Sequence, residues 1–302
     1  MTRILLIGNT GQLGQELQQT LVSYEDIIAV GRPTIDLAQA DTLRHLIREV
    51  QPQLIINAAA YTAVDKAETE TELATAINAI APGVLAQEAQ KLGAFLIHIS
   101  TDYVFDGHQS HPYQESDLTN PLSVYGQSKL AGEQAIQENC DRHLILRTSW
   151  VYGTHGKSNF VKTMLRLGAE REEIRVVADQ IGSPTWTGDI ASAIAILLPQ
   201  LKRPDLSKTY HYTNSGVASW YDFAVAIFEE AQQRFPLKVQ RVIPITTADY
   251  PTPAPRPAYS VLSCAKITKV LETPAPHWRQ GLRQMLADLY ARNYESTNSL
   301  RR

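Results

Sequence analysis

Residues 3–21 read RILLIGNTGQLGQELQQTL, and no other stretch limits the fold as much. The apolar run RILLIG predicts a short buried strand. Gly8, Gly11 and Gly14 follow at three-residue spacing, and Leu13, Leu17 and Leu21 recur at i, i+4 and i+8. That second spacing is the period of a helix with one apolar face. A strand that turns through glycine into a helix is the setting in which such a motif binds a pyrophosphate. Glycine lets the backbone turn sharply and approach the anion, and the free N–H groups of the helix start hold it. Gly8, Thr10, Gly11, Gln12, Leu13 and Gly14 are therefore candidate cofactor-binding residues.

The same unit repeats. The run DIIAVG, from Asp26 to Gly31, predicts the second strand. An acid at its end would hold the ribose 2′-hydroxyl of NAD, but this chain has Gly31 and Arg32. Arginine can pair instead with the 2′-phosphate of NADP, so NADPH is expected, with NADH left open. Asp36 and Leu37 come next at a predicted strand end, and Asp41 is placed to cap a helix carrying Leu43, Leu46, Ile47 and Val50. The stretch PQLIINAAAYTAVD predicts a strand from Leu54 to Asn57. Ala58, Ala59 and Ala60, then Tyr61 and Thr62, follow it and would let a flat ligand approach the backbone. AFLIHISTDYVF repeats the pattern, with a strand to Ile99 followed by Ser100, Thr101 and Asp102. Strand and helix alternating in this way predict an α/β fold with a doubly wound, parallel, Rossmann-type sheet. Ligands collect at the C-terminal strand ends of such sheets, where Gly8, Asn57 and Thr101 lie.

Composition narrows the partners. A chain of 302 residues can bury a large core and divide into two lobes. Its net charge of -3 argues against a nucleic-acid partner. The longest apolar run, IASAIAILL from Ile190, is too short to cross a bilayer, so no membrane partner is expected. Only Cys140 and Cys264 are present, which predicts no disulfide framework and fits a reducing, cytoplasmic location. The apolar run before the first glycine is too short for a signal peptide.

Residues 124–129, VYGQSK, set Tyr125 four residues before Lys129. Thirteen Tyr and ten Lys in 302 residues give roughly 0.4 such pairs by chance, so the spacing alone decides little. A helix beginning at Asn120-Pro121 and running through Glu138 would put both side chains on one face. It follows the strand ending in Thr101, so its start can lie near that strand's end.

With GNTGQLG, NAAA, STDYVFDG and YGQSK in this order, the chain resembles the extended short-chain dehydrogenases/reductases. The resemblance implies that Tyr125 is the catalytic acid, Lys129 its activator and Thr101 the hydroxyl that polarises a carbonyl. Tyr125, Lys129 and Ser100 would also meet the cofactor. A lysine ammonium about 4 Å from a phenolate gains on the order of 4 kcal/mol at an effective dielectric of 20. That predicts a tyrosine pKa lowered from about 10 by up to roughly three units.

Further stretches, among them RTSWVYG, NFVKTML, DQIGSPTW and RPAYSVLSCAKI, resemble the members that reduce a dTDP-linked 4-keto-6-deoxysugar to dTDP-L-rhamnose. The implied partner is a dTDP-sugar, met by Thr101, Asp102, Val104, Phe105, Trp150, Asn159 and Arg256. Trp150 would form an apolar wall or sit in the core. Arg256 lies in the proline-rich stretch PITTADYPTPAPRPAYS, expected to be a rigid loop over the substrate. A 4,6-dehydratase would show Thr-Asp-Glu where this chain has Thr101-Asp102-Tyr103, which disfavours dehydration. Two alternatives remain: a non-catalytic, NADP-binding regulatory subunit like the β subunit of methionine adenosyltransferase, or another nucleotide-sugar reductase or epimerase. The expected division is a cofactor domain of residues 1–152 with 188–213, and a nucleotide-sugar lobe of 153–187 with 214–302. Family members often hold a divalent cation between acids at a dimer contact. Glu16 and Asp288 could supply two of them, but no third acid is evident in PTWTGDIASA, which has Gly188 and Asp189. No metal ligands are therefore assigned, and Mg2+ and a homodimer are left open.

Overall fold

A computed structural model describes residues 2–24, 26–32 and 34–299, without the side chains of 204 and 293–299. Its first half alternates strand and helix: β1 (Ile4–Ile7), α1 (Gln12–Thr20), β2 (Ile27–Val30), α2 (Ala40–Val50) and β3 (Leu54–Asn57). Two short helices, α3 (Val64–Ala67) and α4 (Thr71–Thr75), lead through a π-helical turn at Ala76–Ile80 into α5 (Ala81–Leu92). Then come β4 (Phe95–Thr101), α6 (Val124–Asn139) and β5 (His143–Thr148). The second half contains β6 (Val151–Tyr152), α7 (Phe160–Glu170), β7 (Glu173–Val177), β8 (Ile181–Gly182), β9 (Thr185–Trp186) and α8 (Thr187–Leu197). It continues with β10 (Lys208–His211), β11 (Ala218–Ser219), α9 (Trp220–Ala231), β12 (Arg241–Ile245), α10 (Ala265–Leu271) and α11 (Trp278–Ser299).

The main sheet has the order β10-β5-β4-β3-β1-β2, with every pairing parallel. Both faces are covered, as a parallel sheet requires. In β1, Ile4 and Leu6 face a core built with Leu13 and Leu17 of α1 and with Ile190 and Ile194 of α8. Leu5 and Ile7 face the other side, against Leu43 and Ile47 of α2 and Val84 and Leu85 of α5. The strand order reverses between β1 and β3, so Gly8 and Ala58 flank the crevice where such folds take ligands.

A second core lies outside the sheet. It joins Val161 and Met164 of α7, Ile174 of β7, Phe223 and Ile227 of α9, and Leu282 and Met285 of α11. No described helix is long and apolar enough to cross a membrane.

Two helix starts differ from expectation. Helix α6 begins at Val124 rather than near Asn120-Pro121, because Ser123 is the residue whose hydroxyl accepts from Gly126 N, at 3.2 Å. Helix α2 begins after Gln39, so Asp41 lies in its first turn instead of capping it and pairs with Arg44 at 2.8 Å.

Candidate active site

Gly8 closes β1 with a φ of 97°, a left-handed conformation that favours glycine. A Cβ there would come 2.8 Å from Ala59 N, and one at Gly14 would come 2.0 Å from Gly8 O. The two glycines thus let β1, the start of α1 and the turn after β3 press together. Gly11 occupies the N-cap position of α1 and offers no side-chain cap. The first N–H groups of α1 stay available to an anion at the crevice. Thr10 and Gly11 are exposed, Gln12 is half-buried, and Leu13 points into the core. Arg32 and Asp36 are exposed beyond β2, with Leu37 half-buried beside them. Ala58, Ala59 and Ala60 are half-buried, Thr62 is exposed, and Tyr61 is buried with its hydroxyl 2.6 Å from Glu70. The close backbone approach at the turn and the free N–H groups of the α1 start fit a dinucleotide's diphosphate.

Thr101 ends β4. Its hydroxyl donates to Asp102 Oδ1 at 3.0 Å and accepts from Tyr103 N at 3.2 Å, which tightens the turn at Asp102–Val104. Gly126 lets α6 press on that turn, since a Cβ there would lie 2.3 Å from Tyr103 O. Tyr125, one residue earlier, is brought edge-on to Tyr103 with ring centroids 5.5 Å apart. Tyr125 is 9% exposed. Its phenol is pushed up to about 12 by burial, against which the Thr101 hydroxyl works. The expected fall caused by Lys129 is overturned: burial raises the phenol, and the Lys129 amine is turned to Ile99 O and His98 instead. Asp102 is also buried, and its carboxyl is pushed up to about 6 by desolvation. Among the described residues, Oγ of Ser100 has no hydrogen-bond partner. Val104 and Phe105 are fully enclosed, so they shape the wall from behind.

Lys129 is the same helix's other expected reactive group, and it is 1% exposed. Its Nζ donates to Ile99 O at 2.6 Å and lies 3.1 Å from His98 Nε2. Burial holds the amine down at about 8, opposed by Glu133 one turn onward. Glu133 is itself gripped by Arg147, with Nη2 to Oε2 at 2.6 Å. The sequence reading did not single out His98, although a histidine inside the apolar run FLIHIST is the signal that could have shown it.

The other expected substrate residues occupy two places. Arg256 pairs with Asp65, with Nη2 2.9 Å from each carboxylate oxygen, which anchors the proline-rich loop beside α3. Arg256 also acts on Tyr103 through its charge, so the loop lies near the tyrosine pair. Trp150 stacks on Trp220 with centroids 3.6 Å apart and holds a φ of 48°. Such a left-handed conformation in a bulky residue is strained, and strain of this kind gathers at functional sites. Asn159 caps α7 and donates to Gln12 Oε1 at 2.7 Å, linking the second core to the glycine turn.

Glu16 and Asp288 line a cavity of about 360 Å³ together with His155 and Arg292. The Glu16 carboxyl is raised by burial and by the charge of Asp288. Arg292 already brings positive charge to Glu16, and its Nη1 lies 2.9 Å from His155 Nδ1. Among the described residues, no three or more His, Cys, Asp or Glu side chains are placed to hold a metal ion.

Comparison with known proteins agrees along most of the chain. The family described as "RmlD substrate binding domain" matches residues 1–291. A dTDP-4-dehydrorhamnose reductase of Escherichia coli K12 is 44% identical, over 95% of this chain and 98% of its own length. The crystal structure of a dTDP-4-dehydrorhamnose reductase from Clostridium acetobutylicum superposes with a TM-score of 0.88 at 38% identity, covering 95% of this chain and 99% of that one. One from Bacillus anthracis, in complex with NADP, has a TM-score of 0.88 at 40% identity with the same coverage. The chain belongs to the RmlD substrate binding domain family.

Proposed function

We propose that the protein reduces the 4-keto group of dTDP-4-dehydro-6-deoxy-L-mannose to give dTDP-L-rhamnose, with NADPH as reductant. The observation that carries this reading is the meeting of Thr101 and Tyr125 at the C-terminal end of β4 beside the glycine crevice. It is supported by full-length similarity to proteins named dTDP-4-dehydrorhamnose reductase. A reduced nicotinamide bound at the crevice supplies the hydride that adds to C4 of the sugar. Tyr125 gives its phenolic proton to the ketone oxygen, which becomes the new hydroxyl. A phenol with a pKa near 12 starts the reaction protonated at neutral pH, as a proton donor must. Thr101, turning its one hydroxyl proton from Asp102 Oδ1 to the carbonyl oxygen, donates a second hydrogen bond as negative charge develops there. Lys129, as an ammonium, binds the nicotinamide ribose hydroxyls and offsets the charge left on Tyr125.

The remaining assignments belong to the same reading. The glycine turn and the N-terminus of α1 hold the diphosphate, and Arg32 meets the 2′-phosphate. Ala58, Ala59, Ala60, Tyr61 and Thr62 border the nicotinamide half. Asp102, Trp150, Asn159 and Arg256 serve the nucleotide-sugar side. Residues 1–152 with 188–213 form the cofactor domain, and 153–187 with 214–302 the sugar lobe, of which 300–302 lie outside the described residues. The enzyme acts in the cytoplasm, as a monomer or a homodimer.

The test is NADPH oxidation by the purified chain with dTDP-4-dehydrorhamnose against other nucleotide-linked ketosugars. Turnover selective for the first is expected. Tight NADPH binding without turnover would overturn the reading and favour a regulatory subunit.

A further inference from the structure

His98 stands in the middle of β4, 1% exposed, and no step above uses it. Its ring joins two residues of the site. Asn57 Nδ2 lies 3.0 Å from His98 Nδ1, and Lys129 Nζ lies 3.1 Å from His98 Nε2. The direction of these bonds follows from their surroundings. Asn57 Oδ1 already accepts from Ala59 N at 3.1 Å, so the amide nitrogen is the atom turned to the ring. An amide nitrogen only donates, and His98 Nδ1 must therefore accept. Burial pushes the ring pKa well below the usual histidine value and keeps the imidazole neutral. A neutral imidazole carries one proton, which then sits on Nε2 and points at Lys129. A lysine can accept that hydrogen bond only as the uncharged amine.

We propose that Asn57 and His98 are positioning residues for Lys129, turning a donor toward its amine so that the buried chain resists the ammonium form. Charging Lys129 reverses the chain. The imidazole proton must then sit on Nδ1, and Asn57 must turn its oxygen to the ring, leaving Ala59 N–H without that acceptor. The remaining titratable neighbours do not supply this effect. Glu133 on α6 favours the ammonium and is itself held by Arg147 of β5. Tyr125, also on α6, is uncharged at neutral pH. The lowered lysine pKa has the sign the chain requires, alongside the burial that also lowers it.

This inference rests on reading Lys129 as part of a reductase site, but its test needs no turnover. The ionisation of Lys129 is followed by NMR in the folded chain labelled with ¹³C at the lysine ε-carbon. Lys129→Met identifies the resonance by its loss. Asn57→Asp gives His98 Nδ1–H a permanent acceptor, so Nε2 can accept from the ammonium. The midpoint should rise by about one pH unit or more. In the double variant Asn57→Asp, His98→Leu that rise should shrink, measured against His98→Leu alone, because Asn57 reaches Lys129 through the ring. A rise of equal size with and without His98 would mean a direct field effect and overturn the proposal. So would an unchanged midpoint in folded Asn57→Asp. If circular dichroism shows that Asn57→Asp does not fold, Asn57→Ser serves instead. Its hydroxyl can accept from the ring, and a smaller rise of the same sign is expected; no rise refutes the relay. Absent turnover in the wild type would overturn the proposed function and leave this titration readable.

Discussion

Arg256 Nη2 lies 2.9 Å from both carboxylate oxygens of Asp65, tying the proline-rich loop to the short helix that follows β3. Ala254 N also donates to Asp65 Oδ1 at 3.2 Å. One carboxylate thus holds two points of a loop whose arginine acts on Tyr103. The Asp65 side chain is 42% exposed and that of Arg256 18%, so solvent screens the pair and its worth is about 1 kcal/mol. Asp65→Asn should raise the substrate KM about fivefold and leave the NADPH Kd nearly unchanged. Steady-state kinetics and a cofactor titration decide it. Equal losses in both would mean that the pair supports the whole crevice rather than the loop.

Cofactor choice should depend on Arg32. It is exposed at the end of β2, where no acid stands to meet a ribose hydroxyl. Arg32→Asp removes a charge-assisted hydrogen bond worth about 1.5–3 kcal/mol, so NADPH should bind roughly 10–100-fold more weakly. NADH should be spared. Parallel losses for the two cofactors in fluorescence titrations would rule out the 2′-phosphate contact.

The glycine turn makes a structural prediction. A methyl at Gly14 would meet Gly8 O at 2.0 Å, and the obstacle is backbone. Gly14→Ala must therefore part α1 from the end of β1, at a cost of about 1–3 kcal/mol. A lowered Tm together with weakened NADPH binding is expected. An unchanged Tm would show that the turn has room to yield.

Much of this site was legible because short-range pattern and long-range position coincide. The alternation of strand and helix fixes the sheet, and a doubly wound sheet sends Gly8, Asn57 and Thr101 to one edge. Helical periodicity put Tyr125 and Lys129 on one helix, but only the neighbouring motifs singled the pair out. The start of α6 was less legible, because Asn120-Pro121 and Ser123 are both good helix signals, and the Ser123 cap on Gly126 N, together with the packing of Gly126 on Tyr103 O, accompanies the later one. The direction of the Tyr125 pKa shift was misread for a physical reason. Spacing puts two ionisable groups on one helix but gives neither their burial nor where the lysine amine turns: burial drives Tyr125 up and Lys129 down, and the amine meets Ile99 O and His98. The pair of Asp65 with Arg256 joins residues 191 positions apart, which no local pattern can show.

Lys129 gives the protein a defined pH dependence. Burial lowers its pKa from 10.5 to about 8 in the folded chain. Between those values the unfolded chain binds more protons than the folded one, so stability rises with pH across that window. Below it, the buried ammonium is a cost to the fold. Lys129→Met should remove this slope from denaturant unfolding measured between pH 8 and 10.5. NADPH affinity should show the opposite trend, falling as pH rises through about 8 and the ammonium is lost. A wild-type affinity flat across that pH would remove Lys129 from the ribose contact.

Tyr125→Phe separates chemistry from binding. The ring keeps its edge-on contact with Tyr103, since that contact uses the aromatic face and rim and not the hydroxyl. Lys129 keeps its bond to Ile99 O. Only the transferable proton and the Thr101 neighbour's partner are removed. General acid catalysis contributes about 10²–10⁴-fold, or roughly 3–5 kcal/mol of barrier, and kcat should fall by that factor. The NADPH Kd should stay within about twofold, because uniform binding is untouched. Thr101→Val should be milder, since Tyr125 still faces the carbonyl and only the second donor is lost. Pre-steady-state turnover and equilibrium cofactor binding, measured for both variants, give the comparison. Near wild-type kcat in Tyr125→Phe would mean that the proton reaches the substrate from another group. Asp102, buried beside Thr101 with its carboxyl pushed up to about 6, would then be the next acid to replace.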